Sequence, residues 1–314
     1  MARKIFFVLL VSVCLAGCVT RNATITQVAP SENAKKAMQL HREGNIAESL
    51  TWYAKALDDR ETPQLRNGVG AAMMSAGSAR QAVAEFDRAL VLMPGEPDLY
   101  ANKGTALYAL QKYEPAKDAF EKALQYQPQH AAALNGKALV LMQEKDFETA
   151  LVLLIRASKL APNDMIVTYN KAIAFEASGL LEDALDAFNA YLATTPEDAA
   201  ALNGRGVVKL KLKKYTAAFE DFSKAVTLNP EQGEYYYNRG IVWEKQLEYK
   251  NAVKDYTRSI AYAPENAVAY INRGESYFML DNKEKGCRDL LRACTMGLCT
   301  KLESYQSVNL CEEE

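Results

Sequence analysis

Six prolines, Pro94, Pro128, Pro162, Pro196, Pro230 and Pro264, follow one another at intervals of 34 residues. Each closes a similar phrase: LMPGE, YQPQH, LAPND, TTPED, LNPEQ, YAPEN. A chain that repeats at one fixed period is a stack of supersecondary units, each burying its apolar face against the next. Such a stack lengthens without adding domains, so the 314 residues do not imply the two domains that length alone would suggest.

Within the period, small residues recur at Gly70, Gly104, Ala138, Ala172, Gly206, Gly240 and Gly274, and twelve residues later at Ala82, Ala116, Ala150, Ala184, Ala218, Ala252 and Gly286. Four further on stand Phe86, Phe120, Leu154, Phe188, Phe222, Tyr256 and Leu290, and three beyond those Ala89, Ala123, Ala157, Tyr191, Ala225, Ser259 and Ala293. Steps of four and three keep side chains on one face of a helix. The closing proline stops that helix, while Pro63 and Pro97 open helices, where a missing N–H costs nothing. In period and slots the sequence resembles the tetratricopeptide repeat family. A weaker first unit fits through Ala37, Leu40, Gly44, Ser49, Tyr53 and Ala56, making about eight repeats. The resemblance implies an all-α, right-handed superhelical solenoid of helix–turn–helix units over residues 31–299. Tyr191 in a small slot and Lys209 in an aromatic slot depart from the pattern, and local loosening is expected at both.

The family binds peptides or partner helices on the concave face lined by first helices. Its outward slots imply a groove of Asn67, Met74, Tyr108, Asn135, Met142, Tyr169, Asn203 and Tyr237, with Glu176, Leu210, Glu244 and Phe278 continuing the second row. Asparagine offers a backbone both donor and acceptor, and Tyr and Met give adaptable apolar contact. The Lys–Asn clamp of some relatives is missing: Asn67 is matched with Ala71, Asn135 with Leu139, Asn203 with Val207.

The chain opens MARKIFFVLLVSVCLAGC. Two cations, a short apolar run and small residues form a secretory signal, too short for the roughly 20 residues of a membrane span. Its end, Leu15-Ala16-Gly17-Cys18, resembles a bacterial lipobox. That resemblance implies removal of residues 1–17, lipid on Cys18, and, with Val rather than Asp at position 19, the periplasmic face of the outer membrane. Residues 18–30 then form the lipidated end and linker, which at ~3.5 Å per residue keeps the array within about 40 Å of the leaflet.

Between Cys18 and Cys287 there is no cysteine; Cys287, Cys294, Cys299 and Cys311 crowd the end. An oxidising compartment makes disulfides of them. Cys287 and Cys294, seven apart on one helix and so about 10.5 Å apart by rise, are too distant to bridge, which leaves two pairings. The expected one is Cys294–Cys299 with Cys287–Cys311, and ACTMGLC also resembles the helix-end bridges of cysteine-rich Sel1-like repeat proteins. A last repeat has one face without a neighbour, so residues 300–314 are expected to form a clamped cap, with Leu298, Leu302, Tyr305 and Leu310 at helical spacing.

No catalytic or cofactor motif is present. The two histidines, His41 and His130, stand in no triad or metal pattern, and the cysteine spacing is neither that of zinc nor of thiol exchange. A formal charge of −2 is no nucleic-acid footprint. KLKLKKY, Lys209 to Tyr215, is the densest basic stretch and reads as a solvated helix end. No enzyme activity, cofactor, metal or small-molecule substrate is expected. The resemblances imply a lipid-tethered scaffold binding other envelope proteins, similar to repeat lipoproteins that assist assembly of pili or secretion pores. The alternatives are an adaptor for cell-wall hydrolases or proteases and, from another class, a redox or metal protein using the terminal cysteines.

Overall fold

The computed structural model describes residues 30–311. Cys18, the signal sequence and the linker up to residue 29 lie outside the described residues, as does the end of the expected cap after Cys311. Among the described residues there are seventeen helices and no strand. They form two compact units dividing after Ala174.

The first unit holds α1 (Glu32–Arg42), α2 (Ile46–Asp59), α3 (Pro63–Ser75), α4 (Ala79–Leu92), α5 (Pro97–Ala109), α6 (Tyr113–Tyr126), α7 (Ala131–Gln143), α8 (Phe147–Leu160) and the start of α9 (Met165–Ala177). The second holds the end of α9, then α10 (Leu181–Thr194), α11 (Ala199–Lys211), α12 (Tyr215–Leu228), α13 (Gly233–Lys245), α14 (Tyr249–Tyr262), α15 (Ala267–Met279), α16 (Lys283–Thr295) and the short α17 (Thr300–Gln306). Odd-numbered helices up to α15 open each repeat and even-numbered ones close it.

The pairing follows from the small slots. Ala82, Ala116, Ala150, Ala184, Ala218 and Ala252 have no exposed surface, and the large residue four later is equally enclosed at Phe86, Phe120, Leu154, Phe188, Phe222 and Tyr256. Each turn within a repeat reverses through one residue in the left-handed region. Gly44, Gly77 and Gly179 fill that slot, but so do Gln111, Lys145, Lys213, Leu247 and Asp281, with φ from 58° to 66°. Several first helices are capped from the side chain just before them, Thr62, His130, Asp198 and Asn266 each accepting a backbone N–H three residues on.

Some repeats meet through a second glycine. A Cβ on Gly136 would lie 2.3 Å from the ring of Phe120, whose side chain belongs to the preceding repeat and is 1% exposed. Alanine is favoured over glycine in a helix by about 1 kcal/mol, whereas overpacking costs ~1–3 kcal/mol. Because the ring has nowhere to go, Gly136→Ala is expected to lower the thermal midpoint; a rise would mean that the two repeats do not approach this closely.

The expected loosening at two slots does not occur. Tyr191 is buried and donates its hydroxyl to Asp198 at 2.7 Å. Lys209 is held by Asp221 at 2.7 Å.

Candidate functional site

The opening helices of successive repeats lie against one another, and asparagines join them. In the first unit Asn102 Nδ2 donates to Asn67 Oδ1 at 2.8 Å and Asn170 Nδ2 donates to Asn135 Oδ1 at 2.9 Å. In the second, Asn238 Nδ2 donates to Asn203 Oδ1 at 2.8 Å, and Asn272 Nδ2 donates to the Tyr237 hydroxyl at 3.3 Å. Asn203 also donates to Glu234.

The partners Asn102, Asn170 and Asn238 escape a slot-by-slot reading because they sit one residue out of register with Asn67, Asn135 and Asn203. Their signal is nevertheless in the sequence. Asn-Gly recurs at 67, 135 and 203, and the partner asparagines at 102, 170 and 238, so both follow a period of two repeats. Glycine after the first asparagine lets the previous repeat's ring pass, as Phe120 does at Gly136 and Phe188 at Gly204.

Half of the expected groove row is more enclosed than its spacing implies. Met74, Met142, Tyr169 and Asn203 are buried, whereas Asn67, Tyr108, Asn135 and Tyr237 are half-buried. Met74 shows the cause: it packs with Ala82 and Phe86 of its own repeat and with Ala106 of the next opening helix. The half-buried polar residues of the row are therefore Asn67, Asn135, Tyr108 and Tyr237. Tyr108 accepts from Gln143 Nε2 at 3.1 Å. Four residues after the asparagine slot, half-buried Leu139 and Ile173 in the first unit, and Val207 and Ile241 in the second, supply aliphatic surface.

Glu244, from the second row, is drawn inward: Tyr256 donates to it at 2.7 Å and Ser276 at 3.1 Å. Burial raises its carboxyl above the ordinary range despite those two donors. Glu176 is paired with Lys211 and Glu182 with Lys214. Together with the Lys209–Asp221 pair, these leave Lys213 as the one lysine of KLKLKKY without an ion-pair partner among the described residues.

The histidines serve the scaffold. His130 is buried and accepts the Ala133 N–H at Nδ1, so its proton sits on Nε2 and is donated to Asp98 at 2.8 Å. His41 meets Ser75 of the next repeat at 3.0 Å. Cys287 and Cys311 are bonded at 2.02 Å, and Cys294 and Cys299 form the second bridge. Cys311 and Leu302 bury against Leu290, with Phe278 and Tyr305 alongside. No group of three metal-ligating side chains occurs among the described residues.

A further pattern is charged. Arg205, Arg239 and Arg273 each place two nitrogens on an aspartate sixteen residues later, Asp221, Asp255 and Asp289, at 2.7–2.9 Å. Their remaining nitrogen reaches back sixteen residues to Asn189, Ser223 and Thr257. Each guanidinium thus ties its own closing helix to that of the repeat before.

These features place the chain in the class of helical repeat scaffolds. Residues 101–165 and 169–233 match the tetratricopeptide repeat family model, and the fold throughout the described residues is that of paired tetratricopeptide helices. Among solved structures, the APC/C hetero-tetramer Cut9–Hcn1 superposes with a TM-score of 0.70 at 16% identity, over 92% of this chain and 57% of that one. A tetratricopeptide repeat protein from Parabacteroides merdae gives 0.55 at 18% identity, over 78% and 97%. The human IFIT1 dimer with m7Gppp-AAAA gives 0.54 at 17%, over 88% and 70%. The chain thus spans little more than half of the Cut9–Hcn1 chain it matches, and these likenesses concern the fold. No curated protein matches the sequence.

Proposed function

We propose that the chain is a protein-interaction scaffold of the bacterial envelope, tethered by lipid on Cys18, whose opening helices hold an extended segment of a partner protein. The asparagine rungs carry this reading. Within the Asn67–Asn102 and Asn135–Asn170 pairs, one amide group of each residue is used internally. Left over are an N–H donor on each of the half-buried Asn67 and Asn135 and a carbonyl acceptor on the half-buried Asn102, while Asn170 is buried and serves to orient Asn135. A peptide unit, with one acceptor and one donor, complements the Asn67–Asn102 pair, and Leu139 and Ile173 beside the rungs suit uncharged apolar side chains. The lipobox and the resemblance to repeat lipoproteins of the envelope support a role in assembling a pilus or secretion machine.

Cross-linking in intact envelopes tests the assignment. An Asn67→Ala/Asn135→Ala chain takes the acceptor from buried Asn170, so it is compared with the wild type where both remain folded, and there it is expected to lose a defined set of partners that the wild type retains. Loss of pore or pilus components supports the assembly role. Loss of wall hydrolases or proteases replaces it with the adaptor role. An unchanged partner set rejects the rungs as the site.

A further inference from the structure

The chain carries a net −2, yet α14 and α16 together carry seven cations: Lys250, Lys254 and Arg258, and Lys283, Lys285, Arg288 and Arg292. All seven are exposed. The acids of these two helices offset one of the seven, Arg288. Asp255 and Asp289 are buried under the Arg239 and Arg273 forks, and Glu284 pairs with Arg288. Lys250, Lys254 and Arg258 step by four residues, about 6 Å of rise each, and form one stripe. Arg273 bonds both Thr257 on α14 and Asp289 on α16, so the two cationic faces lie side by side.

Two apolar residues stand at the turns leading into these helices. Leu247 is 71% exposed and Met279 is 61% exposed. Leu247 also occupies the left-handed turn slot, with φ 63°, where the other repeats place glycine or a polar residue and where a large apolar side chain is disfavoured. Neither backbone geometry nor core packing accounts for a leucine there.

We propose that the outer face of α14 and α16 is a docking surface for an anionic lipid bilayer, with Leu247 and Met279 entering the interface and the lysine–arginine stripes lying on the headgroups. Interfacial binding adds buried apolar area to electrostatic attraction, and this face presents both. Charge alone would serve an acidic polypeptide; the exposed leucine and methionine are what a bilayer uses. The surface uses none of the residues of the asparagine rungs and does not depend on lipid at Cys18, so it gives the second unit its own membrane contact.

Vesicle co-sedimentation of the unlipidated chain starting at Val19, which retains every described helix, is the test. Binding is expected to phosphatidylcholine vesicles containing phosphatidylglycerol, to weaken with salt, and to be absent with phosphatidylcholine alone. Lys250→Glu/Lys254→Glu/Arg258→Glu should lower partitioning by more than about tenfold. Leu247→Asn/Met279→Gln, in which asparagine tolerates the turn, should lower it several-fold with every cation in place. Unchanged melting of both variants keeps folding out of the comparison. No binding to anionic vesicles, or equal binding to neutral ones, overturns the proposal. So does binding that ignores Leu247→Asn/Met279→Gln and is competed away by polyglutamate, which would assign the face to an acidic polypeptide.

Discussion

Arg239→Met should destabilise the second unit by about 3–5 kcal/mol, the cost of stranding a buried charge. Asp255 is 8% exposed at its side chain and receives two nitrogens of Arg239 and the Trp243 indole. With the guanidinium gone, only the indole remains. The same column in the first unit holds Lys103, whose partner Asp87 is half exposed at 51%. Lys103→Met should therefore cost under about 1 kcal/mol, as exposed pairs do. Hydrogen exchange reads both: amides of α13 and α14 should lose protection by more than a hundredfold in Arg239→Met, while α5 stays close to wild type in Lys103→Met. Equal small effects would show that the fork adds nothing beyond a surface pair.

Loss of the Cys287–Cys311 bond by Cys311→Ser should release the cap at a cost of roughly 3 kcal/mol. The bond spans 24 residues, and cross-links closing loops of that size contribute about this much. A seven-residue α17 has no stability of its own; it is held by Leu302 and Cys311 against Leu290 and by Tyr305 on Phe278, ring centres 4.3 Å apart. In a repeat array each unit feels chiefly its neighbours. The loss of protection should therefore appear in α15 to α17 and leave α1 to α8 unchanged. A global fall would mean that the terminal bridge stabilises more than the cap.

The proline period and the small slots made the helix pairing legible, because Ala116 and Phe120 must occupy those positions for two helices to touch. Periodicity was less informative about the groove. It assigns Met74 to a face, but how closely the next opening helix approaches depends on Ala106, and that approach buries the methionine. The asparagine rungs and the arginine forks stand in the sequence as columns whose contacts only the fold makes. Asn67 and Asn102 lie one slot apart and alternate over two repeats, so a single-repeat alignment separates them. Arg239 and Asp255 sit on different helices, and only the folded unit makes sixteen residues a contact distance. KLKLKKY looked like one basic patch, yet Lys209, Lys211 and Lys214 each find a carboxylate on a neighbouring helix. The cationic face that remains is spread over α14 and α16, where no short run of sequence announces it.

The most direct test of the scaffold reading is the affinity of the intact chain for extended apolar peptides selected from a random library, measured with and without N-methylation of the peptide backbone. If the rungs read a peptide backbone, methylation at the contacted unit and Asn67→Ala/Asn135→Ala should each weaken binding by about tenfold or more, the worth of one or two hydrogen bonds. Peptides that bind as tightly after both changes would contradict the account.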